Sequence, residues 1–293
     1  MGTSSGEEGI PLSEGGRKLI VVLVDGMRDD TARERLGFVE GLVNQGRGLR
    51  ARAQSILPSL SRPCYEAICT GTQPVVNGVV SNDTVRLSTQ TSIFDVLRNH
   101  GLVSAVAGYH WLSELYCRAP FDYVFDRERT EPDGRIPFGR FYFEDSYPDA
   151  HVFADAEALR VRNRPDLLLI HPMGVDDAGH HFGAASKQYA SQVLRIDMIL
   201  ARLLPGWLNE GCDVIVTADH GMDEFGLHGG PDDGVRTVPL YFFSTLLAKV
   251  GIYTEHTLTQ TAMAALFCRI LGLPPAETME PLPADVEHDW FSK

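Results

Sequence analysis

Three apolar runs in this chain finish on side chains that bind metal ions. Lys18–Val24 runs into Asp25, Leu167–Ile170 into a loop holding Asp176 and His180, and Val214–Thr217 into Asp219 and His220, with His228 shortly after. Carboxylate oxygen and imidazole nitrogen suit a catalytic zinc site, which keeps a coordination position open. Asp176 and His180 stand four residues apart, so one helical turn or tight loop presents both to one ion, with His181 as the neighbouring candidate. His228 sits in GLHGG, where glycines permit close backbone approach. A single Asp-His or DxxxH element is more often surface or capping chemistry. Three of them at three run ends point to a site for two ions. Ions about 4 Å apart suit phosphoryl transfer because they clamp the nucleophile and the transferring group together.

Such a site needs an oxygen nucleophile. Ser61 precedes Arg62 and Pro63, at or beside the N-cap of a helix expected from Pro63 to Thr70 and closed by Gly71. There the helix dipole and free N–H groups favour an alkoxide or a bound phosphate. The alternative is a serine that only caps the helix. Ser55, Ser59, Thr70 and Thr72 are other hydroxyls nearby.

The elements that must position these residues follow from the pattern. Buried parallel strands read as unbroken Val/Ile/Leu runs, and ligands bind beyond their carboxyl ends. Strands are expected over 19–24, 102–107, 166–170, 214–217 and 238–243. Helices are expected over 31–45, 63–70, 92–100, 150–163, 188–204 and 259–271. The alternation predicts an α/β fold with a mostly parallel central sheet and helices on both faces. A loose head over 1–16 precedes a single domain over 17–293. Residues 109–148 are irregular and rich in aromatics and arginine, which makes them the candidate substrate lid.

The 293 residues are 44% apolar, enough for the core of one large domain, and the formal charge of −13 disfavours nucleic-acid polymers and anionic membranes as partners. A small anionic phosphoester remains compatible if metal ions neutralise it locally. Five cysteines without a CxxC spacing argue against both a zinc-thiolate site and a disulfide framework. With no signal-peptide apolar region and no long apolar span, the expectation is a cytoplasmic protein without a membrane partner.

At these residues the chain resembles the alkaline phosphatase superfamily, in its type I phosphodiesterase / nucleotide pyrophosphatase branch. The strand ending in Asp-Gly is matched by VVLVDGMR. The nucleophile two residues before a proline, with Thr-Gly and Asn-Gly beyond, is matched by Ser61, Pro63, Thr70, Gly71, Asn77 and Gly78. The D-x-x-G-H element is matched by Asp176–His180, and Asp-His-Gly-Met by Asp219–Met222. The resemblance implies an alkaline-phosphatase-like core without a large cap. It implies one zinc ion on Asp25, Ser61, Asp219 and His220, and a second on Asp176, His180 and His228. Asn82, twenty-one residues past Ser61, stands where the family binds a phosphoryl oxygen. The Ser-Arg-Pro turn and the later glycine-histidine run also look like the GPI-anchor ethanolamine-phosphate transferases, which are membrane proteins.

One departure concerns specificity. Nucleotide-cleaving members often carry phenylalanine after the nucleophile, where this chain has Arg62. That cation implies either a second negative charge on the substrate or a salt bridge to a local acid. The expected activity is a two-zinc phosphohydrolase, a phosphodiesterase working through a covalent intermediate on Ser61, with Mn²⁺ or Fe able to suit the same donors. The alternatives are a phosphomonoesterase or phosphonate hydrolase, a transferase to an alcohol, and a metal-binding relative without catalysis. Arg62, Asn82 and His171 are the candidate substrate contacts, and the expected partner is a small-molecule phosphoester.

Overall fold

The computed structural model describes residues 16–291, so the head expected over 1–16 lies outside it apart from Gly16. In chain order the first half comprises β1 (Leu19–Val24), α1 (Asp29–Arg35), α2 (Gly37–Asn44), β2 (Leu49–Gln54), α3 (Ser61–Thr70), α4 (Pro74–Asn77), α5 (Ile93–Asn99), β3 (Ser104–Tyr109), α6 (His110–Tyr116), β4 (Glu128–Thr130) and β5 (Phe138–Tyr142). The second half comprises α7 (Asp149–Asn163), β6 (Leu167–Ile170), α8 (Gly174–Phe182), α9 (Lys187–Asn209), β7 (Asp213–Ala218), α10 (Asp233–Arg236), β8 (Thr237–Phe243), β9 (Gly251–Thr259), α11 (Met263–Leu271) and α12 (Ala284–Phe291).

The strands form one sheet in the order β4-β5-β3-β6-β1-β7-β8-β2-β9. The run β5-β3-β6-β1-β7 is parallel, and β8 is antiparallel to both β7 and β2. β1, β3, β6 and β7 are buried along their whole length, because helices cover both faces as the unbroken apolar runs require. α9 packs with α1, α2, α7 and α8, while α11 packs with α3 and α5. Register then aligns the strand ends. Val22 of β1 lies beside Ile170 of β6, and Val24 lies beside Ala218 of β7. The residues that follow these three strands therefore emerge at one edge of the sheet.

Several boundaries differ from those expected, each for a tertiary reason. The helix expected over 31–45 is two helices broken at Leu36. The Asp197 carboxylate, reaching over from α9, accepts the Phe38 and Val39 N–H groups and so caps the second helix. The helix expected to stop before Pro205 continues to Asn209, where buried Trp207 donates to Glu157 at 2.7 Å and holds the last turn. The closing helix starts with a 3-10 turn at Gln260–Ala262. The irregular stretch 109–148 contains α6, β4 and β5, and β5 pairs with β3 to extend the sheet. Tyr123, Val124, Phe125 and Phe143 are its exposed large apolar residues.

Candidate active site

Asp25 follows β1, Asp219 and His220 follow β7, and α8, which begins four residues after β6, carries Asp176 and His180 one turn apart. Gly26 makes the close approach possible. Its φ is +72°, and a Cβ there would stand 2.8 Å from the Asp176 Cα, so only glycine lets the β1 end nest against α8. The Gly26 N–H donates to Asp219 Oδ1 at 3.1 Å and ties the first strand end to the third.

Ser61 begins α3 rather than capping it. Leu60 is the N-cap, with no side-chain cap bond, and the Ser61 hydroxyl instead lies 3.0 Å from His220 Nε2. The serine is therefore aimed at the cluster of acids and imidazoles and is no helix cap. Asn82 sits beside it at the helix start, its Oδ1 accepting the Arg62 N–H at 3.0 Å. That bond leaves the Asn82 amide nitrogen unused.

The donor set fits metal ions on three grounds. First, His180, His220 and His228 each use Nδ1 against a backbone carbonyl, of Gly226, Gly221 and Ser59 respectively. Nδ1 then carries a proton and each Nε2 is turned to the site, the arrangement of metal-bound histidine. The His228 and His180 Nε2 atoms lie 3.2 Å apart. Second, Asp25 Oδ1, Asp176 Oδ1 and Asp219 Oδ2 are buried without a hydrogen-bond partner. Buried charges left this way are costly unless a cation neutralises them. Third, ligand atoms of Asp176, His180 and His228 converge within 4.8 Å, as do those of Asp25, Asp176 and His220. Asp176 belongs to both groups, whereas the resemblance assigned it to one ion. Asp219 Oδ2 completes the second group, 3.3 Å from His220 Nε2.

The electrostatics agree at every donor but His180, which its bond to Asp176 raises to about 9, so a cation binding there displaces a proton. Burial, then the charges of Asp25 and Asp176, push Asp219 well above the usual carboxylate range. Burial and the Asp25 charge also raise Asp176. Burial acts to raise Asp25 too, but His171, His220 and Tyr65 outweigh it and hold that carboxyl low. Burial pushes His228 down to about 4 and lowers His220, keeping both neutral and able to ligate. His220 and His228 are stacked, with ring centroids 3.8 Å apart, so their orientations support one another. His181 does not join them. It is exposed and bonds within its own helix to Asp177.

Two expected substrate contacts are placed elsewhere. The Arg62 guanidinium is buried: it donates to Glu114 at 2.7 Å and to the Thr84 carbonyl at 2.8 Å, and lies 4.8 Å over the Trp111 ring. Of the two roles open to it, the salt bridge to a local acid is the one formed. His171 is fully buried behind Asp25, its Nε2 3.2 Å from Asp25 Oδ2, and reaches no open space. Sequence reasoning passed over Ser55 as a supporting residue, and over Tyr65 and Gln260. Tyr65 donates to Asp25 Oδ2, and Ser55 and Gln260 both donate to the Asp219 carbonyl. Tyr65 follows Ser61 by one helical turn, which was the available signal.

A family profile described as type I phosphodiesterase / nucleotide pyrophosphatase matches residues 19–229, which span every residue of this cluster. The chain belongs to that family. Human ectonucleotide pyrophosphatase / phosphodiesterase 5 shares the fold, with a TM-score of 0.72 at 14% identity, covering 94% of this chain and 100% of the other. The murine counterpart gives a TM-score of 0.71. Among curated relatives of this type I phosphodiesterase-family chain, GPI ethanolamine phosphate transferase 2 of Candida albicans is 29% identical over 93% of the chain and 32% of its own length. The catalytic subunit of the human enzyme of that name is 23% identical over 88% of the chain and 26% of its own length. The chain thus spans about a quarter to a third of the length of these relatives. They also overturn the expected cytoplasmic placement, since their name sets them at glycosylphosphatidylinositol, a membrane glycolipid. Among the described residues no helix is long and apolar enough to cross a membrane.

Proposed function

We propose that this chain is the catalytic domain of a metal-dependent phosphotransferase that moves a phosphodiester-linked group from one alcohol oxygen to another through Ser61. The observation that carries the reading is the Ser61 hydroxyl, free of capping duty and 3.0 Å from His220 Nε2 beside three buried carboxylates. The sequence favoured hydrolysis. The relatives named as ethanolamine phosphate transferases favour transfer instead, with ethanolamine phosphate as the group carried.

Ser61 Oγ attacks phosphorus in line, and the bond to the leaving alcohol breaks. The proton lost by Ser61 is matched by the one the leaving alcohol takes up. An acceptor alcohol then attacks the phosphoseryl diester and returns Ser61 as the free hydroxyl. The α3 N-terminus and the Asn82 amide, beside Ser61, would supply N–H donors to the oxygen on which charge develops. Two zinc ions, one on Asp25, Asp219 and His220 with Ser61 and one on Asp176, His180 and His228, would supply the positive charge that favours the serine alkoxide; Mn²⁺ or Fe suits the same donors.

A diester suits this site better than a monoester. A monoester needs a cation for its extra oxygen, but Arg62 is held by Glu114, and Arg118, Arg127, Arg129, Arg135 and Arg140 each have an acidic partner. The donor is a small-molecule phosphoester, and the net charge of −13 disfavours a nucleic-acid polymer. The test is product analysis with bis(p-nitrophenyl) phosphate, zinc and added glycerol. The expected product is the glyceryl p-nitrophenyl diester, and Ser61→Ala should abolish its formation while the protein still binds zinc. Wild-type turnover in Ser61→Ala would remove Ser61 as nucleophile. Water as the sole acceptor at every glycerol concentration would return the chain to the hydrolases.

A further inference from the structure

Asp25 differs from the other two site carboxylates in how its oxygens are shared. Asp25 Oδ2 takes the Tyr65 O–H and faces His171 Nε2 at 3.2 Å, while Oδ1 has no hydrogen-bond partner and lies 3.3 Å from His220 Nε2. Tyr65 and His171 are each 0% exposed, and their rings meet edge to face with centroids 4.7 Å apart. Neither His171 ring nitrogen meets ordinary hydrogen-bond geometry, and Nε2 is paired with Asp25 Oδ2 at 3.2 Å. The backbone around His171 is itself anchored. Its N–H donates to the Ala107 carbonyl at 2.8 Å, its carbonyl accepts the Tyr142 hydroxyl at 2.8 Å, and Gly108 leaves room for it, since a Cβ there would stand 3.0 Å from the His171 Cβ.

We propose that Tyr65 and His171 are positioning residues that together hold one oxygen of Asp25 and so present the other to the metal cluster beside Ser61. The proposal rests on the metal-site reading above. Residues that hydrogen-bond a ligating carboxylate, as Tyr65 does, fix its orientation, and losing them typically costs about 10- to 100-fold in metal affinity; His171 acts on the same oxygen as a polar neighbour at 3.2 Å. Helix geometry adds a consequence. Tyr65 lies one turn after Ser61 on the same face of α3, so one rigid element sets both the nucleophile and the orientation of Asp25. A shift of α3 would move both together, which keeps the serine oxygen in register with the first strand end.

The test is Zn²⁺ affinity, measured on the whole chain by competition with a chromophoric chelator, for wild type, Tyr65→Phe, His171→Gln and Tyr116→Phe. Tyr116 is the control because it too is a buried tyrosine whose hydroxyl donates to a carboxylate, Glu66, one residue from Tyr65 on α3. Tyr65→Phe and His171→Gln should each weaken one of two zinc sites by about tenfold or more, and Tyr116→Phe should weaken neither. Apo-protein melting should match between Tyr65→Phe and Tyr116→Phe. Wild-type affinity at both sites in Tyr65→Phe, or equal losses in Tyr65→Phe and Tyr116→Phe, would overturn the positioning role and leave the metal site standing. A wild-type chain that takes up no Zn²⁺ would overturn the metal reading itself, and the positioning role with it.

Discussion

Replacing Arg62 with Met separates its two possible roles. The guanidinium and the Glu114 carboxylate are both almost fully buried and meet at 2.7 Å, and Arg62 also donates to the Thr84 carbonyl. Methionine keeps the packing of the stem under Trp111 but leaves Glu114 buried and unpaired. Breaking a buried pair from one side costs about 3–5 kcal/mol, whereas replacing both partners with apolar side chains is often close to neutral. An unfolding entropy of about 2.1 cal/mol/K per residue gives roughly 0.6 kcal/mol/K for a chain of this length, so Arg62→Met should lower Tm by about 5–8 °C. The double variant Arg62→Met with Glu114→Leu should recover most of that. Calorimetry on metal-loaded protein reads the stability, and kinetics well below the variant's Tm read the function. There KM for a diester should stay within about twofold of wild type. An unchanged Tm together with a KM raised tenfold or more would refute the argument and return Arg62 to the substrate.

Chelating metal should lower Tm, because Asp25, Asp176 and Asp219 then face one another uncompensated. At zinc a hundredfold above its Kd the linkage is about 2.7 kcal/mol, or about 4 °C here, and a Tm indifferent to chelator would remove the cluster as a metal site. Gly26→Ala forces a Cβ against the Asp176 backbone at a left-handed φ; it should destabilise by more than about 1 kcal/mol and weaken zinc binding, both read in one titrated melt. Asn82→Ala should lower kcat by about 10²-fold with zinc affinity intact, and an unchanged kcat would take Asn82 off the transferring group.

The central strands were legible because their burial on both faces leaves an unbroken apolar run, and the candidate metal donors because Asp25, Asp219 and His220 follow such runs directly, with Asp176, His180 and His228 within about ten residues of them. β1, β6 and β7 form within a residue or two of their expected bounds. The outer strands β4, β5 and β9 carry no such run, and their pairing depends on neighbours far away in sequence. The break at Leu36 was hidden for a similar reason: the carboxylate that caps α2 belongs to Asp197, which a local pattern does not reveal.

By itself the sequence determined the chemistry available: carboxylates and imidazoles at three strand ends, a serine ahead of a helix, and the order that marks the family. Tertiary structure decided how those groups are used. Parallel register set the three strand ends side by side, and helix geometry turned Ser61 toward His220 and away from capping. Packing paired the Arg62 guanidinium with Glu114 and enclosed His171 behind Asp25. Side-chain type fixes what a group can do, but its free partners depend on which distant segments pack against it, and that is settled only when the chain folds.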